Sequence, residues 1–143
     1  MDTTLLDLCY HAITVEGTIH RVYVYTTKSK LENFEAINPG FFNGCQIIYG
    51  FETTDPQSGK ISREKGVDSL LVADLIYHSA MKNCEIALVG ARDNDYMYAL
   101  RRAQDFGVSV GLFNIVETPT KELIDAADPL FRFQISATQL AGN

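Results

Sequence analysis

The chain has 143 residues, 46% of them apolar and 21% charged, enough for one domain with a proper interior, whereas two independent cores would be unusually small at this length. A net charge of −6 excludes a protein that coats nucleic acid through many Lys and Arg contacts, but it leaves room for a nuclease with clustered carboxylates and a local basic rim. No run approaches the roughly 20 apolar residues that cross a bilayer. Met1-Asp2-Thr3-Thr4 lacks the positive flank of a secretory signal, so the expectation is a cytoplasmic protein with no membrane partner.

In chain order, Thr3 to Ile13 has apolar residues at helical spacing with Thr or Asp available as a cap. Gly17 marks a turn, and Arg21 to Thr27, β-branched and aromatic, predicts a buried strand. Lys28 to Ile37 predicts a helix ended by Asn38-Pro39-Gly40, and Gln46 to Phe51 a second strand. Thr53 to Lys65, polar and turn-rich, predicts an exposed loop or hairpin.

The second half alternates more clearly: helix Gly66 to Lys82, strand Glu85 to Gly90, helix Asn94 to Phe106 stopped by Gly107, and strand Val108 to Phe113. After Thr118-Pro119-Thr120 comes a short helix, Lys121 to Ala127, and Phe131 to Ile135 closes as a strand or extended tail. This alternation implies an α/β domain, a mainly parallel sheet covered on both faces, spanning residues 1–143. Cys9, Cys45 and Cys84 are odd in number and widely spaced, which suits reduced thiols; with His11, His20 and His78 they match no zinc pattern.

Val89-Gly90-Ala91-Arg92-Asp93-Asn94-Asp95-Tyr96 runs a buried strand into a D-x-D turn that opens a helix, and open α/β sheets bind ligands beyond the carboxyl ends of their strands. Asp93 and Asp95 are therefore either site residues or a helix cap with its dipole partner. Along Gly66 to Lys82, Val67, Leu70, Leu71, Asp74, His78 and Met81 share one stripe, so Asp74 sits on an apolar face and calls for a partner. Asp68 lies about 120° around from Asp74 and can join the same site only from the first turn or the loop before it. It is read equally as a site acid or as a solvated first-turn acid, and His78 is read as a hydrogen-bonded core or rim residue.

The order Glu64-Lys65-Gly66-Val67-Asp68, Asp74 six residues on, then Ile86-Ala87-Leu88-Val89 leading to Asp93-Asn94-Asp95-Tyr96 resembles the NYN domain, a branch of the PIN-like ribonucleases. Arg102 to Val110 resembles that family's helix, glycine and strand, and Lys121 to Asp128 its closing element; the likeness runs from about Arg21 to Phe133. It implies a three-layer α/β/α sandwich, PIN-like, whose acids bind Mg²⁺ or Mn²⁺ and hydrolyse RNA. Carried over by position, Asp74, Asp93 and Asp95 are the implied metal ligands, with Asp68 a supporting catalytic acid. The alternative is a non-catalytic RNA- or protein-binding module on the same fold; a phosphotransfer enzyme has only the D-x-D turn behind it.

Two departures shape the expectations. The family usually starts with a strand ending in an aspartate, commonly D-x-x-N, and no such strand precedes the first helix here. The resemblance thus predicts a gap between Arg21 to Thr26 and Ile86 to Val89, and with it a homo-oligomer or an N-terminal strand-donating partner. Ala91-Arg92 stands where the family tends to have Ser-Gly, so Arg92 either contacts phosphate or neutralises the carboxylates. Lys65, Arg92 and Asn94 are the expected RNA contacts; Lys60 and Arg63 lie near the same rim, and Arg101 and Arg102 read as solvated surface. Tyr96 and Tyr98 either stack on a base or pack in the core.

Overall fold

The computed structural model describes residues 3–13, 17–91, 93–115 and 119–135. Five helices and seven strands occur among them: α1 (Leu5–Ala12), β1 (Tyr23–Thr26), α2 (Lys28–Ile37), β2 (Gln46–Tyr49), β3 (Phe51–Thr54), β4 (Ile61–Lys65), α3 (Val67–Ala80), β5 (Ile86–Val89), α4 (Met97–Gln104), β6 (Ser109–Ile115), α5 (Lys121–Ala126) and β7 (Arg132–Ile135). Helix α1 starts at a capping box. The Thr4 hydroxyl accepts from the Asp7 N–H and the Asp7 carboxylate accepts from the Thr4 N–H, each at 3.1 Å, which satisfies two orphan donors at the helix start.

Two parallel sheets and a hairpin form the strand layer. β1 pairs with β2, and β5, β6 and β7 pair in that order, all parallel; β3 and β4 form an antiparallel hairpin. The segment Gln46 to Phe51, expected as one strand, divides at Gly50. A Cβ on Gly50 would lie 2.6 Å from both the Lys65 carbonyl oxygen and Val67 Cγ2, so the chain turns there against the start of α3. The expected loop or hairpin after it is the β3–β4 ribbon.

One core, built on Leu100, Ala103, Val110, Leu112 and Leu123, joins α4, α5 and the α3 side of β5 and β6. The other joins α1 (Leu5, Leu8, Cys9) to Phe113 and Phe133, with Val24 of β1 and Leu88 of β5 packed against it. Val24 and Leu88 thus pack against one cluster from two different sheets. On the opposite face, α3 packs on β1, while its Leu71, Leu75 and Ile76 join the core that contains Val89. The two sheets therefore lie side by side between α1 and α3. β1 and β5 form no ladder with each other among the described residues, so the single sheet expected from the alternation is interrupted where the resemblance predicts a gap.

Candidate functional site

The D-x-D turn lies just beyond the carboxyl end of β5. Asp93 is extended and caps a single 3₁₀ turn, Asn94–Tyr96; its carboxylate accepts from the Asp95 N–H at 3.2 Å, and α4 follows at once. The helix expected from Asn94 thus begins as a tighter turn, which leaves Asp93, Asn94 and Asp95 exposed. The Asn94 side chain accepts a hydrogen bond from the Thr120 hydroxyl, and that hydroxyl also accepts from the Leu123 N–H as the N-cap of α5. Asn94, expected at the RNA surface, fastens the acidic turn to α5.

Tyr96 gathers the acids. Its hydroxyl donates to Asp68 in the first turn of α3. Burial, then the Asp68 bond, then the negative charges of Asp68, Asp93 and Asp95 push the phenol well above its ordinary pKa. It stays protonated and serves as a hydrogen-bond donor, not as a base. Asp68 and Asp95 line one open groove of about 320 Å³ with Ser69, Val72, Ala73 and Tyr96.

Asp74 is placed elsewhere. Six helical residues separate it from Asp68 by about 9 Å of rise and about 120° of rotation, and it faces β1, where the Tyr25 hydroxyl donates to it at 2.8 Å. Burial and the neighbouring Asp74 carboxylate raise the Tyr25 phenol. Asp68 thus shares a groove with Asp95 and is bonded by Tyr96, while Asp74 is bonded by Tyr25 of β1. His78, one turn beyond Asp74, stacks on Tyr23 with centroids 5.4 Å apart, and its Nδ1 lies 2.9 Å from the Asn83 amide, a satisfied rim residue.

Among the described residues, no three His, Cys, Asp or Glu side chains lie together in a way that could hold a metal ion. Magnesium is often held by one or two carboxylates while keeping waters and sharing substrate phosphates. The paired carboxylates Asp68 and Asp95 on one groove fit that mode and supply the hard oxygen donors it needs.

Lys65 is exposed at the end of β4, next to the turn into α3. Arg92 lies outside the described residues. A second groove, about 420 Å³, shares Asp95 and Val72 with the first and continues along α4 past Tyr98, Arg101 and Arg102. Arg102 pairs with Asp105 at 3.8 Å, and Tyr98 is 71% exposed, so neither is core. Sequence reasoning missed Tyr25, Thr120 and Gly50. The Tyr23-Val24-Tyr25 alternation, which puts both tyrosines on one face of β1, was the available signal for the first.

The NYN domain profile matches residues 6–134. A crystal structure of a protein of unknown function from Vibrio parahaemolyticus is similar to this chain at 17% identity, with a TM-score of 0.66, over 92% of this chain and 78% of that one. That likeness concerns the fold alone. No curated protein matches the sequence.

Proposed function

The chain belongs to the NYN domain family, of PIN-like nuclease fold, and from that premise we propose that it is a metal-dependent ribonuclease-type domain acting on RNA phosphodiester bonds. The observation that carries the reading is that Asp68, held by the Tyr96 hydroxyl, and Asp95 line one groove beyond the carboxyl end of β5. Asp68 and Asp95 would hold a Mg²⁺ or Mn²⁺ ion from the wall of their shared groove. When bound, such an ion offsets phosphate charge and lowers the pKa of an attacking water.

The chain's own residues supply positioning. Tyr96 holds the Asp68 carboxylate by donating to it, and Asp93 fixes the turn that presents Asp95. Arg101 and Tyr98 extend the groove away from the acids, suited to a phosphate and a stacked base respectively. An exposed cation and an exposed ring beside an acidic centre let a chain of net charge −6 still grip a polyanion locally. Asp74 is assigned a positioning role, holding β1 to α3 through Tyr25. Cys9, Cys45 and Cys84 are all free thiols, which supports a reducing, cytoplasmic setting.

The test is incubation of purified protein with single-stranded RNA and Mn²⁺. Cleavage is expected, and is expected to vanish in the Asp93→Asn, Asp95→Asn double variant; cleavage that survives in that variant overturns the site. A second reading, a non-catalytic RNA-binding module, is favoured by the lack of any three-residue metal group among the described residues. It predicts RNA binding in EDTA with no Mn²⁺-dependent cleavage.

A further inference from the structure

The groove of about 420 Å³ between α3 and α4 has two unlike walls. Val72 and Ile76 give it an aliphatic side on α3, and Tyr98 and Arg101 an aromatic and cationic side on α4. Ala99, 8% exposed, lines it too, and its methyl group takes up little of the space between the helices. A flat ring on one helix thus shares a cleft with an aliphatic surface on the other.

Tyr98 and Arg101 are both unspent by the fold. Tyr98 is 71% exposed, and no other ring touches it among the described residues. Arg102 pairs with Asp105 at 3.8 Å, whereas among the described residues Arg101 pairs with no acid, although Asp95 and Asp105 line the same groove. Three residues apart on one helix, Tyr98 and Arg101 are neighbours, with Cβ atoms roughly 5–6 Å apart. A nucleotide carries a flat ring and a phosphate at a comparable separation, across one ribose.

We propose that this groove is a subsite for one unpaired nucleotide, its base between Tyr98 and the Val72–Ile76 side and its phosphate on the Arg101 guanidinium. The inference rests on the ribonuclease reading above and adds the form of RNA that the acidic centre accepts. A base inside a duplex has both faces covered by its neighbours and cannot enter a cleft between two helices, so the subsite selects single strands. Every base has a π-face, so stacking here selects strandedness and not sequence. Asp95 repels a phosphate at the end nearest the acids, and Asp105 is already offset by Arg102, which leaves Arg101 as the seat for the anion.

Fluorescence anisotropy on the full chain in EDTA reads the subsite apart from cleavage. The probe is a labelled RNA of mixed sequence, about 12 nucleotides long, single-stranded or annealed to its complement. The single strand is expected to bind the tighter of the two. Tyr98→Ala should weaken its binding by about 10-fold and leave the duplex unaffected, while Tyr98→Phe, which keeps a ring, should bind as wild type does. Arg101→Gln should make the salt dependence of single-strand binding shallower by about 0.7 in log–log slope, one phosphate contact fewer. Single-strand binding unchanged in Tyr98→Ala overturns the proposal, as does a duplex bound as tightly as the single strand, and as does no binding of either RNA. Parallel incubation with Mn²⁺ separates this outcome from the reading beneath it. Cleavage by wild type with Tyr98→Ala binding unchanged removes the subsite alone, and Tyr98-dependent binding without cleavage removes the nuclease activity and upholds the subsite.

Discussion

β5 and β6 are neighbours in one parallel sheet and both are apolar, yet they live in different surroundings. β6 is paired on both edges and sealed, with Val110, Leu112 and Phe113 no more than 7% exposed. Among the described residues, β5 is paired on one edge and half-buried along most of its length. The difference shows that burial in this layered fold comes from lateral neighbours as much as from the helices above and below. Apolar composition predicts a strand, and only its company makes it a core strand.

The contrast is broken most forcefully at β6. A Cβ on Gly111 would sit 1.9 Å from the Phe131 carbonyl oxygen, so Gly111→Ala is expected to prevent stable folding, read as loss of the cooperative urea transition. Leu112→Ala should destabilise by about 3–5 kcal/mol, as large-to-small changes in sealed cores do. Leu88→Ala in β5 should cost about 1–2 kcal/mol, because solvent already reaches that side chain. Equal losses at Leu112 and Leu88 would contradict the open edge.

The core on the α1 side has a pH signature of its own. Burial pushes the Cys9 thiol up to about 11 from an ordinary 9.0. The unfolded thiol ionises first, so stability is full well below pH 9 and falls as pH rises through 9 to 11, by at most about 3 kcal/mol in all. Urea midpoints of wild type and Cys9→Ala should therefore converge as pH rises; a constant difference would show that the thiol does not titrate in that window.

The smallest effects separate the two acid groups. Tyr25→Phe removes the donor to half-buried Asp74 and should destabilise by about 1 kcal/mol. Tyr96→Phe should cost less, since Asp68 is exposed, but it should weaken RNA cleavage by loosening Asp68. The two changes should add within about 0.5 kcal/mol, whereas coupling beyond that would join Asp74 to the Asp68 group. Of the two, only Tyr96→Phe is expected to alter Mn²⁺ affinity, which calorimetry reads directly.

The sequence revealed the fold where periodicity was unambiguous. α2 occupies the expected Lys28 to Ile37, and α3 and β5 lie within their expected bounds. Boundaries slipped where tertiary packing decides, as at Gly50, whose turn answers to a close contact 15 residues away at Lys65. The site was legible in residue type and less so in grouping. Asp93 and Asp95 come as a local motif, but whether Asp68 or Asp74 joins them depends on which flank of α3 faces the turn. Tyr96 reaching back across 28 residues ties Asp68 to that turn, and no pattern along the chain encodes it.

Thr120 carries one hydroxyl with two duties, capping α5 and gripping Asn94. The first turn of α5 and the aim of the acidic bend are in this way a single joint. A change that shifts either member pulls on the other, so α5 acts as the anchor from which the carboxylates are hung.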